Sequence, residues 1–214
     1  MQGNRDMLKI LGRATSSNVQ KVVWLCEELD IAYERTDIGG PFGGNDQPEY
    51  LALNPNGIVP TVDDDGFILW ESNSIVRYLA EKHGKGTQFW PEDLQSRASA
   101  GRWMDWALSI LAPRHVPVFQ GLIRTPEADR DYDKIAASRD LWAKANGALE
   151  NWLGDHEYLS GDTFGIGDIP ASPFTYRWFN LDIEREDFPN LRRWHDTICT
   201  RPAFRKNIID IGLS

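Results

Sequence analysis

The chain has 214 residues, of which 41% are hydrophobic and 26% are charged, a composition typical of a folded globular protein. The formal net charge of −9 disfavours contact with nucleic acid or anionic membranes, and neither an apolar run of about 18 residues nor a secretory signal is present. We therefore expect a cytoplasmic protein with no nucleic-acid and no membrane partner, whose two cysteines, Cys26 and Cys199, are free thiols.

Short strands and helices alternate in the first part of the chain. Apolar, β-branched runs predict strands at residues 8–12, 31–38, 58–62 and 67–70. Helical spacing and helix-stop residues predict helices near residues 19–29, 48–53 and 71–83. The order β-α-β-α-β-β-α predicts a small α/β domain over residues 1–84, with residues 1–7 as a disordered extension.

The pattern changes after residue 84. Residues 85–92 have the composition of a linker. Between residues 93 and 214, apolar residues recur at helical spacing, as at Trp103, Ala107 and Leu111, and prolines separate the predicted helices. Most of the nine tryptophans also lie in this part. We therefore expect an all-α domain whose core is filled with large aromatic rings.

A polar loop, Thr15-Ser16-Ser17-Asn18, connects the first predicted strand to the first helix. Backbone N–H groups at a helix start create a positive local potential. One interpretation is helix capping, because Ser and Asn are favoured there. The other is that a hydroxyl or amide donates a hydrogen bond to a thiolate that a ligand brings.

Two further pairs of residues have the chemistry of a binding site. Val59-Pro60 stands at a predicted strand, where a cis peptide bond would turn the backbone of Val59 toward an extended peptide. The alternative is a proline in an edge strand with no ligand. Glu71-Ser72 begins a predicted helix and suits a ligand that carries both an ammonium group and a carboxylate, although a plain helix cap also fits.

The segment around Asp168 is typical of a folding motif. Asp168 stands three residues after Gly165, a predicted helix N-cap, and can bond back to its N–H, while Phe164 and Ile169 can pack across the turn. The four histidines are scattered, so no metal site is expected. Phosphate-loop, dinucleotide and serine-hydrolase motifs are absent from the sequence.

Three segments resemble the cytosolic glutathione S-transferase family: residues 54–60 (Asn-Pro-Asn-Gly-Ile-Val-Pro), residues 70–75 (Trp-Glu-Ser-Asn-Ser-Ile) and residues 159–168. The resemblance covers about residues 8–205 and is greatest to bacterial members related to the theta, beta and nu classes. It implies a thioredoxin-like domain that binds glutathione, then a helical domain that forms the second-substrate pocket. Glutathione would be a co-substrate, with no other cofactor, and the protein would be a homodimer.

The resemblance also implies roles for the Val59-Pro60 and Glu71-Ser72 pairs. Val59, before a cis Pro60, would pair with the cysteinyl backbone of glutathione, and Glu71 and Ser72 would hold its γ-glutamyl end.

Asn45 and Ile58 stand where relatives carry His or Lys near the glycyl carboxylate. Both differences remove a positive charge, so either the affinity for glutathione is lower or another residue makes that contact.

The catalytic residue implied by register is Ser16, as in theta-class proteins, or Asn18, as in nu-class proteins, with Ser17 and Thr15 as further candidates. Cys26 lies too far along the helix to be a beta-class cysteine, and no tyrosine occurs between residues 8 and 32. In the helical domain, the candidates for the second-substrate pocket are Trp103, Trp106, His115, Phe119 and Trp178.

The function implied is a glutathione transferase that activates the glutathione thiolate for attack on a small hydrophobic electrophile. Two alternatives stay open. The same site suits a glutathione-dependent disulfide reductase or peroxidase. The absence of positive charge at Asn45 and Ile58 would also suit a non-catalytic glutathione-binding or scaffold module.

Overall fold

The computed structural model describes residues 7–213. The extension predicted at residues 1–7 lies outside the described residues except for Met7. The described chain forms two compact units, the first ending at Lys85 and the second beginning at Gly86.

The first unit is built on a four-stranded sheet. Its strands are β1 (Leu8–Leu11), β2 (Tyr33–Thr36), β3 (Thr61–Asp64) and β4 (Phe67–Trp70). The strand order is β2-β1-β3-β4, with β1 parallel to β2 and antiparallel to β3, and β3 antiparallel to β4. Ile10 and Val62 are partners in the two central strands and are fully buried.

Three helices complete this unit: α1 (Ser17–Glu28), α2 (Pro48–Leu51) and α3 (Ser72–Gly84). Helix α1 contacts α3, and each buries a stripe of residues spaced by three or four positions, such as Val19 and Val22 on α1 and Ile75 and Leu79 on α3. The predicted order β-α-β-α-β-β-α is confirmed. The predicted loop at residues 39–46 contains a 3₁₀ turn, Gly40–Phe42.

The third strand was predicted three residues too early. Val59-Pro60 is a cis peptide bond, and the strand begins only at Thr61. Strand β3 lies inside the sheet, where a proline would remove a ladder hydrogen bond. The interpretation of Pro60 as an edge-strand proline is therefore wrong, because Pro60 directly precedes an internal strand.

The second unit is helical. Its helices are α4 (Leu94–Trp106), α5 (Ala112–Phe119), α6 (Tyr132–Asp155), α7 (Ser172–Asn180), α8 (Pro189–Cys199) and the short α9 (Pro202–Phe204). Wider π-helical turns follow α4, α5 and α9. Trp142, Trp178 and Trp194 are fully buried, which confirms the aromatic core expected for the all-α domain.

Asp168 organises the turn that precedes α7. Its carboxylate accepts hydrogen bonds from the backbone N–H groups of Leu159 (2.8 Å), Ser160 (3.3 Å) and Gly165 (3.0 Å), and from the Trp194 indole (2.9 Å). The bond to Gly165 was expected. Helix α7 begins only at Ser172, so this bond closes a turn rather than capping the helix.

Candidate functional site

The start of α1 carries the first candidate donor. Ser16 is the N-cap residue in an extended conformation, and its N–H bonds to the carbonyl of Arg13. Within the described part of the chain, its hydroxyl makes no capping bond to α1. The capping interpretation of this hydroxyl is therefore wrong. Ser16 is 9% exposed, so a hydroxyl with unused donor capacity stands at the positive end of a helix.

Asn18 is the second candidate donor, and two neighbours hold its side chain. Its Oδ1 accepts a hydrogen bond from Lys21 Nζ at 2.8 Å and from Ser72 Oγ at 3.3 Å. An ammonium group only donates, so the acceptor must be the amide oxygen rather than the amide nitrogen. The Nδ2 group is then the part of Asn18 that can donate to a ligand.

The Ser72–Asn18 bond joins the starts of α3 and α1, which are 54 residues apart in sequence. Ser72 is buried in the first turn of α3, and the first bond within the helix runs from the Ile75 N–H to the Glu71 carbonyl at 2.9 Å. The Ser72 N–H precedes this bond and has no carbonyl partner within α3. This corner therefore suits a carboxylate.

Glu71 is exposed and has a φ of +71°, a conformation that few residues other than glycine adopt. Such a conformation costs roughly 1–3 kcal/mol and is typical of functional sites. A glutamate at a position that favours glycine is consistent with a use for its carboxylate.

A buried polar network shapes the turn before β3. The Ile58 carbonyl accepts hydrogen bonds from the Tyr50 hydroxyl (2.7 Å) and from Asn54 Nδ2 (2.9 Å). The Tyr50 oxygen in turn accepts a hydrogen bond from the Thr61 hydroxyl at 2.9 Å, and Thr61 Oγ1 accepts one from Asn54 Nδ2 at 3.1 Å. Burial raises the pKa of Tyr50, although its bonds with Thr61 and Asn54 oppose the shift, so it stays a neutral donor. Tyr50 and Thr61 were not identified from the sequence, because nothing local marks them as partners.

Val59 follows Ile58, whose carbonyl accepts these two hydrogen bonds. No hydrogen bond among residues 7–213 uses its backbone N–H or C=O. Gly12 permits the close packing here, because a Cβ on Gly12 would lie 2.5 Å from Val19 Cγ2 and 3.1 Å from Val59 Cβ. The backbone of Val59 therefore has an unused donor and acceptor for an extended ligand.

Asn45 and Ile58, the two positions where relatives carry a positive charge, have different surroundings. Asn45 donates through Nδ2 to the Gly57 carbonyl at 2.7 Å, so it braces the turn before Ile58. Ile58 is 53% exposed. A cation that the sequence did not single out, Arg13, lies beside the 3₁₀ turn, where a Cβ on Gly40 would be 2.9 Å from its Nε.

Cys26 is fully buried in α1, and burial, aided by the charge of Glu27, raises the pKa of its thiol to about 12. A neutral, inaccessible thiol is not a nucleophile, in agreement with the exclusion of a cysteine mechanism.

The structure divides the expected second-substrate residues into two groups. Trp103 and Trp106 line a cavity of about 580 Å³ in the helical unit together with Arg102, Trp152 and His156. Ring centroids of Trp103 lie 5.4 Å from Trp106 and 5.6 Å from Trp152. The Arg102 guanidinium lies 4.4 Å above Trp152.

His115 and Phe119 do not line this cavity. Both are buried, with the Arg177 guanidinium 3.7 Å above the Phe119 ring and 3.1 Å from His115 Nε2. Trp178 is also fully buried. The structure thus places these three side chains in the core of the helical unit, because aromatic rings at helical spacing pack inward unless the surrounding helices leave a gap.

Residues 7–213 contain no group of three or more His, Cys, Asp or Glu side chains arranged to hold a metal ion. None of the helices in the same range has the length and hydropathy of a membrane-spanning segment.

Comparison with known proteins agrees with this geometry. Residues 15–82 match the glutathione S-transferase N-terminal domain, and residues 104–202 match the C-terminal domain. The chain is 42% identical over 205 residues to glutathione S-transferase GstB of Escherichia coli, covering 95% of this chain and 98% of that protein. It is 30% identical over 203 residues to the E. coli disulfide-bond oxidoreductase YfcG, covering 89% of each.

Among solved structures, the theta-class glutathione S-transferase of Xanthomonas axonopodis pv. citri with glutathione bound superposes with a TM-score of 0.93. It is 43% identical, and the match covers 97% of this chain and 99% of that chain. Both halves of the sequence and the whole fold therefore agree, and the chain belongs to the glutathione S-transferase family.

Proposed function

We propose that this protein is a glutathione transferase whose first unit binds glutathione and stabilises its thiolate for attack on a hydrophobic electrophile. The observation that carries the proposal is the Ser72–Asn18 hydrogen bond, because it joins one candidate thiol donor to the helix start that suits a carboxylate. The similar Xanthomonas protein, solved with glutathione bound, supports the same ligand.

The γ-glutamyl and cysteinyl parts of glutathione each have a matching group. The γ-glutamyl carboxylate is bound by the backbone N–H of Ser72 at the positive end of α3, and its ammonium group is bound by Glu71. The cysteinyl backbone pairs with the N–H and C=O of Val59, next to Pro60. The sulfur then lies at the start of α1, where Ser16 and Asn18 donate to it.

The energetics of thiol activation fit these donors. A free thiol has a pKa of about 8.5, and lowering it by about two units needs roughly 2.7 kcal/mol of preferential stabilisation of the thiolate. A hydrogen bond to a charged group contributes about 1.5–3 kcal/mol, and a helix N-terminus about 0.3–1 kcal/mol. The site needs no strong base, because a donor directed at sulfur is sufficient.

Ultraviolet difference absorbance tests this proposal, because the thiolate absorbs and the thiol does not. With the protein and saturating glutathione between about pH 5 and 9, we expect a thiolate midpoint roughly two units below that of free glutathione. An unchanged midpoint, with binding shown by calorimetry, would favour the non-catalytic binding module instead.

Glu71→Gln is expected to raise the KM for glutathione about tenfold while kcat changes less than about twofold, because the lost contact is with the ligand's ammonium group and not with its sulfur. Initial rates at varied glutathione check this. Glu81→Gln, an exposed position on α3, is the matched control. An unchanged KM in the Glu71 variant would remove the γ-glutamyl assignment.

For the electrophile, we propose the aromatic cavity lined by Trp103 and Trp106, since flat apolar molecules stack on indole rings.

The disulfide reductase alternative is supported by the similarity to YfcG. Turnover of a small disulfide or hydroperoxide, with negligible conjugation of an aryl halide, would favour that alternative. A homodimer and a cytoplasmic location are part of the same proposal.

A further inference from the structure

Lys21 is a charged side chain with almost no contact with solvent. It lies on the second turn of α1, is 1% exposed, and is among the largest fully buried side chains of the protein. Removing an ammonium group from water is costly unless polar groups surround it. One of those groups is the Asn18 amide oxygen, 2.8 Å from Nζ. The buried charge is thus in direct contact with a residue of the proposed thiol site.

The contact determines which way the Asn18 amide faces. An isolated asparagine side chain can rotate by 180° and exchange its oxygen for its nitrogen. Here the Lys21 ammonium and the Ser72 hydroxyl both donate to one atom of Asn18. Rotation would place the amide N–H₂ against the ammonium donors, so the bound arrangement keeps Oδ1 inward and Nδ2 available.

The same contact strengthens the available donor. A positive charge on an amide oxygen withdraws electron density from the amide nitrogen, and hydrogen bonds in series reinforce one another at low dielectric. We infer that Lys21 is a positioning residue of the thiol site, which holds Asn18 with its Nδ2 group directed at the glutathione sulfur and polarises that group. This inference rests on the proposed function, because it assigns Asn18 a bond to the thiolate.

The charge of Lys21 also acts through space. A sulfur bonded to Asn18 Nδ2 would lie within roughly 8 Å of Lys21 Nζ, given ordinary hydrogen-bond lengths. An opposite charge near a thiolate favours its ionised form. Two other cations lie near the start of α1: Arg13, beside the 3₁₀ turn at Gly40, and Arg35, which pairs with Asp37 and donates to the Gly12 carbonyl at 2.8 Å. Lys21 is the cation bonded to the proposed donor itself.

The test measures the pKa of bound glutathione in Lys21→Met and Lys21→Gln. Lys21→Met removes the charge and the hydrogen bond with little change in volume. Lys21→Gln removes the charge but keeps an N–H donor. Lys9→Met is the matched control, because Lys9 is exposed and its Nζ lies 3.5 Å from Asp63. Difference absorbance with saturating glutathione gives the thiolate midpoint, and circular dichroism establishes that each variant is folded.

We expect Lys21→Met to raise the thiolate midpoint by about one unit and Lys21→Gln to raise it by less, while Lys9→Met matches the wild type. At pH 6.5 and saturating glutathione, kcat/KM for the electrophile should fall about fivefold in Lys21→Met, and the loss should shrink as the pH rises above the new midpoint. A loss that came from damaged structure would persist at all pH values.

The outcomes separate this inference from the proposed function. If wild-type protein binds glutathione without lowering its thiol pKa, the proposed function fails. If the wild type lowers the pKa and either folded Lys21 variant leaves it unchanged, the role of Lys21 is overturned and the proposed function stands. If Lys21→Met does not fold, Lys21→Gln is the test. A raised thiolate midpoint in Lys21→Gln would support the role of Lys21, and an unchanged midpoint would contradict it.

Discussion

Replacing Ser16 by alanine is expected to lower kcat about 100-fold and to change the KM for glutathione by less than about threefold. The reason is that the hydroxyl donates a hydrogen bond to the sulfur as the sulfur becomes charged. Removing one donor of this kind typically lowers the rate by a factor of about 10²–10³. The midpoint of the bound thiolate should rise at the same time. Steady-state kinetics and difference absorbance measure the two effects.

The structure also makes Ser16→Ala a clean variant. Because the Ser16 hydroxyl makes no capping bond to α1, its removal should shift the melting temperature by no more than about 2 °C, whereas loss of a true N-cap costs about 1 kcal/mol. Ser109→Ala, an exposed position in the helical unit, is the control for the same chemical change. If Ser16→Ala is silent and Asn18→Ala is not, Asn18 is the sole donor and the Ser16 register is wrong.

The largest effect on stability is expected for Asp168→Ala. This variant would leave three backbone N–H groups and the Trp194 indole without their acceptor in a fully buried position. Unsatisfied buried donors cost roughly 1–3 kcal/mol each, with partial relief from water. We expect a loss of about 4 kcal/mol, which corresponds to a melting temperature lower by roughly 10 °C.

Two related variants sharpen this result. Asp168→Asn keeps one acceptor oxygen but presents an N–H₂ group to donors on its other side, so it should lose about half as much stability. Asp162→Ala changes an exposed aspartate in the same segment and should be close to neutral. Urea unfolding measures all three. A loss below about 1 kcal/mol in Asp168→Ala would contradict the role of this carboxylate in folding.

Local patterns explain what could be predicted. Helix α3 begins within one residue of the predicted position, and the hairpin turn contains Gly66, whose N–H bonds to Asp63 Oδ1 at 2.8 Å. Both depend on periodicity and turn chemistry within a few residues. The start of β3 was missed because the apolar run of Ile58 and Val59 looks like a strand, while the Ile58 carbonyl is bonded to the side chains of Tyr50 and Asn54.

The candidate site could likewise be predicted only in part. Its residue types could be read from the chain, since a hydroxyl-rich helix start, a Val-Pro pair and a Glu-Ser helix start each have a recognisable chemistry. Their relation to one another could not, because the bond from Ser72 to Asn18 spans 54 residues. Likewise, Trp106 lines a cavity and Phe119 is buried, although both are aromatic residues on successive helices.

The order of the elements and the polar loop that holds the candidate donors therefore followed from local spacing and residue type. The family followed from the resemblance of three segments to a known family. The free hydroxyl of Ser16, the orientation of the Asn18 amide and the burial of Lys21 emerged only from the folded chain. Hydrogen bonds and burial depend on which neighbours the fold brings within about 3 Å, and residues distant in sequence become neighbours only through tertiary packing.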